Sequence, residues 1–147
     1  MKKMYLLCAF MLTAMSAGAQ EVTQQELQGN WTMSYFKDEN GTANVAEGTW
    51  KVNDKPTVAK EQVEEQYEFI IQQAKGAVLK IEGAAISQVV MGEEHKAELK
   101  LENKDGKTYM IVDEQGRQDR PQVFIDKGQL HVIDSEIKAE LVYVRAK

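Results

Sequence analysis

Cysteine is the scarcest residue of this 147-residue chain, since Cys8 is the only one. It lies in an N-terminal segment built like a leader, so the rest of the chain has no disulfide, no thiolate nucleophile and no cysteine-ligated metal. Stability must then rest on an apolar core. Histidine is nearly as rare, at two residues, which leaves few candidates for general-base or zinc chemistry. Basic residues are also in deficit, 18 against 23 acidic ones, for a formal net charge of −5. That balance argues against nucleic acid or an anionic membrane as partner, because both select clustered Lys and Arg. Glycine-rich phosphate loops and basic stripes interleaved with aromatics are absent too. No apolar run approaches the roughly 20 residues of a membrane-spanning helix, so no membrane insertion is expected.

What is present begins at the N-terminus. Lys2 and Lys3 form a basic start, Tyr5 to Ala14 an apolar stretch, and Ala17-Gly18-Ala19 an A-x-A cleavage pattern. Residues 1–19 are therefore predicted to be a signal peptide, with an extracytoplasmic product, periplasmic or secreted, that begins at Gln20. Its removal takes away two lysines and no acid, which makes the mature chain more negative by two charges. The alternatives are an uncleaved anchor and a lipid on Cys8, but Leu6 and Leu7 stand where a lipoprotein site has small residues. Residues 20–147 are expected to form a single domain, with no repeat, low-complexity tract or linker to divide them.

Beyond the leader the dominant signal is alternation. Ala97, Leu99 and Leu101 alternate with Lys96, Glu98, Lys100 and Glu102, which predicts an antiparallel strand with one buried face and one wet face. Asn103 to Lys107 reads as a turn with Gly106 at positive φ, and Thr108 to Val112 as the return strand. The same grammar recurs at Gln122 to Ile125 and Leu130 to Ile133, and a final strand spans Ala139 to Arg145. Upstream, Trp31 to Phe36 and Thr49 to Val52 are joined across Lys37 to Gly41, while Val78 to Ile81 and Ala85 to Met91 flank Gly83. A flat sheet of that size leaves long edges, so a mainly β fold, an antiparallel barrel of about eight to nine strands, is expected.

Thr57 to Lys75 breaks the alternation. Ala59, Val63, Tyr67, Ile70 and Ala74 share one helical stripe opposite Glu61, Glu65, Glu68 and Gln72, which predicts one amphipathic helix. Thr57 can cap its start, and Lys75 and Gly76 suit its end. The acidic stripe reads as a solvated face rather than a cation site. An α+β roll with this helix across a curved sheet is the alternative architecture.

The two ends of the domain belong together. Leu27-Gln28-Gly29-Asn30-Trp31 enters the first strand, and Leu141-Val142-Tyr143-Val144-Arg145 ends the last. This pairing resembles the lipocalin-like, or calycin, barrels, in which a G-x-W segment opens the first strand and a basic residue of the last strand covers the tryptophan. The matching positions are Gly29, Trp31 and Arg145, which the resemblance implies are structural. Glycine permits a tight backbone there, the indole fills the closed end, and a guanidinium can stack on it. With a helix between early strands and none after the last, the chain looks less like a true lipocalin than like the small secreted lipocalin-like proteins of Gram-negative gut bacteria. The resemblance implies no catalytic residue and no cofactor.

Chemistry is thin elsewhere. His131 lies near Asp126, Asp134 and Ser135, and His95 beside Glu93 and Glu94, so a metal pair can be drawn for either and a Ser-His-Asp set for His131. Neither has metal-ligand spacing or a nucleophile-elbow serine, so neither a metal nor a catalytic set is expected. The bulky and flexible side chains Met33, Tyr35, Trp50, Met91, Met110 and Phe124 are the candidate ligand-binding residues. Facing an incompletely filled barrel, they suit a loosely matched apolar ligand; otherwise they are ordinary core. The expected function is a non-enzymatic, exported binding protein for a small apolar or amphipathic molecule. Its rival is a protein-interaction or inhibitor module of the same fold that meets an unknown protein partner with its exterior.

N-terminal sequencing of the exported protein should begin at Gln20. A chain that retains Met1, or one lipidated at Cys8, overturns the extracytoplasmic soluble reading.

Overall fold

The computed structural model describes residues 21–147, so the predicted signal peptide and Cys8 lie outside the described residues. The elements run α1 (Gln24–Leu27), β1 (Gly29–Asp38), β2 (Gly41–Asn44), β3 (Thr49–Val52), α2 (Lys60–Ala74), β4 (Leu79–Glu82), β5 (Ala85–Val90) and β6 (Glu93–Lys104). They continue with β7 (Lys107–Glu114), β8 (Arg117–Asp119), β9 (Gln122–Asp126), β10 (Gln129–Asp134) and β11 (Ala139–Arg145). The strand order is β11-β10-β9-β7-β6-β5-β4-β1, and β11 pairs back onto β1. That last pairing closes a ring of eight antiparallel strands, a barrel rather than an open roll. Strands β2 and β3 extend from β1 outside the ring, and β8 hangs on β7.

Strands β2 and β8 are additional to the sequence expectation. The chain does not loop from Lys37 to Gly41; β1 runs on to Asp38, whose carboxylate accepts from the Asn40 and Gly41 N–H groups at 2.9 and 3.2 Å and reverses the backbone at once. Gly41 then opens β2, and a Cβ there would overlap the Lys51 carbonyl oxygen on β3.

The inward face of β1 changes parity. Trp31 and Met33 stand opposite Arg145 and Tyr143, after which the register slips between Met33 and Tyr35. This bulge inserts one residue, so Phe36, opposite Leu141, takes the inside and Tyr35 turns outward. The interior is filled with side chains. Trp31, Leu99, Val123 and Leu130 are at most 1 % exposed, and Ile81, Ile86, Met110 and Tyr143 pack with them. Val22 and Leu27, which precede β1, join this core and seal the end where β1 begins. There the Val22 N–H donates to the buried Thr108 hydroxyl at 2.8 Å, and that hydroxyl donates to Asn103.

A second core lies at the opposite end, where β1 finishes and β11 starts. Phe36, Ala43, Val45 and Ala139 surround Val63, Tyr67 and Ile71 of α2, with Met33 and Leu141 bridging to the first core. The helix begins at Lys60 rather than Thr57 because Thr57 is engaged elsewhere: its N–H and hydroxyl both donate to the buried Asn40 side-chain oxygen, at 2.7 and 2.9 Å. Ala59 occupies the cap without a side-chain bond. The buried row is Val63, Tyr67 and Ile71; Ile70 and Ala74 only flank it, and Ala59 is exposed. The Tyr67 hydroxyl donates to Asp38, and its ring meets Phe36 edge-on at 6.2 Å. Burial first, and the Asp38 carboxylate after it, push the Tyr67 phenol well above its usual range.

Val63→Asp should cost on the order of several kcal/mol, through an unpaired buried charge. Exposed Glu65→Ala should stay within about 0.5 kcal/mol. Urea melts that show the two equally mild would mean that α2 is not docked. Alkali should also destabilise the fold, because burial pushes the Tyr143 phenol up to about 12. Unfolded tyrosines ionise near pH 10, so stability that is full below that pH is lost as pH rises toward the folded value. Urea midpoints measured through this window should fall less for Tyr143→Phe than for the natural chain.

Candidate functional site

The two ends of the barrel differ in kind. At the sealed end the Arg145 guanidinium lies 4.3 Å from the centroid of the Trp31 ring. Its two terminal nitrogens donate to the Gln28 and Glu26 carbonyls at 2.7 and 2.9 Å, and the Trp31 indole N–H donates to the Leu27 carbonyl at 2.9 Å. Gly29 has φ of +120°, and a Cβ there would sit 2.8 Å from an Arg145 terminal nitrogen. Thr23 and Glu26 form a capping box that fixes α1 under this clamp. These residues spend their polar groups on one another, so this end is a closure and not a site.

The opposite end is covered in part by α2, which packs on β1, β2 and β3. On the far side the β5–β6 hairpin outruns its neighbours: β4 pairs no further than Leu79 with Gln88, and β7 no further than Asp113 with Glu98. A groove of about 140 Å³ opens there. Leu79, Ile86, Ala97 and Val112 make an apolar floor continuous with the barrel core. The small side chain of Ala97 leaves the room, since the next inward positions of β6 are Leu99 and Leu101. Ser87, Gln88, His95, Lys96 and Glu114 supply the polar lining. His95 precedes Ala97 by two residues and Glu114 follows Val112 by two, so strand alternation turns both inward. The His95 Nδ1 lies 3.6 Å from Glu114 Oε1, beyond hydrogen-bond length, and both side chains are 51 % exposed. An aliphatic floor under a few convergent polar groups is the usual composition of a small-ligand site. The volume matches a cavity of about 150 Å³ that accepts a benzene-sized guest.

The six candidate side chains do not gather into one site. Met110 is buried in the first core and Met33 lies between the two cores. Tyr35, displaced by the bulge, faces outward, where the Asn44 amide donates to its hydroxyl at 3.4 Å and the Lys37 ammonium lies 5.7 Å from its ring centroid. Phe124 alternates to the face opposite Val123 and stacks on His131, with ring centroids 4.5 Å apart and planes within 8°. Trp50 is 40 % exposed on β3, outside the ring, and Met91 is 83 % exposed on the β5–β6 turn at φ +53°. Gln88 and Glu114 are absent from the sequence candidates. The signal that finds them is parity with Ile86 and Val112, although Glu114 lies two residues past the expected end of its strand at Val112.

His131 pairs on the outer face with Glu140, Nδ1 to Oε1 at 2.6 Å, rather than with Asp126, Asp134 or Ser135. Its Nε2 is buried without a partner among the described residues. Among the described residues no three His, Cys, Asp or Glu side chains are grouped as a metal requires, and no helix is long and apolar enough to cross a membrane.

Trp31→Ala should cost about 3–5 kcal/mol as a core aromatic truncation. Arg145→Lys should cost about 1–2 kcal/mol, because an ammonium cannot stack flat and serve both carbonyls. Urea midpoints measure both, and an Arg145→Lys chain as stable as the natural one would show that the clamp does not hold the closure.

No protein-family model matches the chain, and no curated protein does. Among solved structures it is similar to a DUF4847 family protein from Bacteroides vulgatus, at 10 % identity and a TM-score of 0.48, over 82 % of this chain and 94 % of that one.

Proposed function

We propose that this chain is an exported, lipocalin-like, non-enzymatic binding protein that holds a small apolar or amphipathic molecule in the groove at the barrel mouth. The observation that carries this reading is the aliphatic floor of Leu79, Ile86, Ala97 and Val112 set under Gln88, His95 and Glu114. The lipocalin-like assignment is supported by a closed eight-strand antiparallel ring with Trp31 at its base beneath Arg145 of the last strand. Export is supported by the leader-like residues 1–19. The lumen itself is occupied by Met110, Leu130, Tyr143 and their neighbours, so the ligand sits at the mouth and not deep inside.

A second reading draws on the β5–β6 hairpin, whose tip exposes Val89 by 50 % and Met91 by 83 %. Around a packed interior, that apolar tip would be the contact surface of a protein-interaction or inhibitor module.

Benzyl alcohol followed by amide NMR separates the two readings. Saturable shifts at Ile86, Ala97 and Val112 are expected, with Kd on the order of 1 mM for so small a probe in an open groove. They should vanish in Ala97→Phe and survive in a Val89→Ser, Met91→Ser double variant. Absence of saturable shifts at the mouth overturns the binding reading and leaves the hairpin tip as the functional candidate.

A further inference from the structure

We propose that the ligand of the mouth groove is a short extended peptide, which adds as a strand to the open edge of β6 and sets one apolar side chain on the groove floor. This rests on the binding reading above and names the ligand class. Strand β6 runs from Glu93 to Lys104, yet β7 pairs with it only from Lys104 back to Glu98. Beyond that point the chain turns at Gln115 and Gly116 into β8, which pairs on the other side of β7. Along a strand the backbone N–H and C=O groups of successive residues point to alternate neighbours. The Leu99 N–H donates to the Ala84 carbonyl at 2.8 Å, so Ala97, His95 and Glu93 also direct their backbone groups toward β5. Glu98, Lys96 and Glu94 direct theirs the other way. Glu98 meets Asp113 there, whereas Lys96 and Glu94 meet no strand among the described residues.

A row of backbone donors and acceptors therefore stands open beside the groove, on the line that β7 would follow if it continued. The space for a strand is there. Lys96 and Ala97 line the mouth groove and also an open recess of about 480 Å³ bounded by Asp113, Gln115 and Gly116, so the two spaces meet across this edge. In a peptide antiparallel to β6, the residues opposite Lys96 and Glu94 each exchange N–H and C=O hydrogen bonds with them. The residue between these two stands opposite His95 and shares its inward parity, which carries its side chain to the floor of Leu79, Ile86, Ala97 and Val112. A groove of about 140 Å³ takes one aromatic or branched aliphatic side chain. A small apolar molecule fills the floor and leaves the edge to water. A run of amides with an apolar side chain at the alternate place satisfies both.

The probe is acetyl-Ser-Thr-Phe-Thr-Ser-amide, with two N-methylated forms: one at both threonines, whose N–H groups face β6, and one at phenylalanine, whose N–H faces away. Titrated into the mature protein, with amide NMR and hydrogen exchange as readouts, the unmethylated peptide should saturate with shifts at Ile86, Ala97 and Val112. It should also slow amide exchange at Glu94 and Lys96 about tenfold or more at saturation. Methylation of the threonine amides should weaken binding about tenfold or more, and methylation of the phenylalanine amide by about twofold at most. Ala97→Phe, which fills the floor, should abolish binding. Equal loss from the two methylated forms, or binding without protection of Glu94 and Lys96, overturns strand addition while the mouth-groove reading stands. Protection of these two amides that grows with protein concentration in the absence of peptide assigns the edge to a second copy and overturns the peptide as its occupant. If benzyl alcohol saturates and the peptide does not, this inference fails alone; if neither does, the binding reading fails with it.

Discussion

A sheet becomes a barrel only if its first and last strands find each other across the whole chain, and in this protein that meeting is held by one arginine. The seam between β1 and β11 pairs residues more than a hundred positions apart, such as Trp31 with Arg145. Loop closure over that length opposes the pairing, so the seam needs contacts beyond its ladder hydrogen bonds. Arg145 supplies them in three directions: its plane covers the indole, and its two terminal nitrogens reach carbonyls of the segment that enters β1. With the seam shut, the eight ring strands have no free edge in the ring, and the interior becomes a closed volume.

Eight strands enclose little more than their own side chains. Here that volume is occupied from the Trp31 end upward, with Val22 and Leu27 as the stopper and α2 over part of the opposite rim. Open space remains where the lining runs short, at the protruding β5–β6 hairpin with alanine at position 97. The groove follows from the same packing that fills the lumen: the β6–β7 ladder stops at Glu98 and Asp113, short of His95 and Glu114. His95 and Glu114 are half-exposed there, and polar because water reaches them.

Much of this was legible in the sequence, for identifiable reasons. The period-two pattern around Leu99 is strong because one face of β6 is dry, and the helix stripe is strong because α2 packs one side only. Gly29, Trp31 and Arg145 mark the seam through the resemblance to lipocalin-like barrels, and their residue types suit the capped aromatic corner it implies. What was not legible depends on single residues acting at a distance. The bulge after Met33 carries no composition signal, yet it turns Tyr35 from the inside to the outside. Thr57 looks like a helix cap until Asn40, seventeen residues earlier, takes both its donors. Gly-Thr-Ala-Asn reads as loop, and becomes β2 because Asp38 reverses the chain before it. The turn between β6 and β7 is only Asp105 and Gly106, with Lys104 paired to Lys107, so β7 begins one residue before Thr108.

The seam also sets an order of events. Most ring neighbours are hairpins of adjacent strands and can form as each is made, whereas β1 waits for β11 along most of its inner edge. Strand β11, seven residues ending at Arg145, is synthesised after every other ring strand. Until it emerges, Trp31 has no cover and the ring cannot lock, however complete the hairpins between are. A nascent chain of this kind holds an open sheet until β11 emerges, and closes its ring only then.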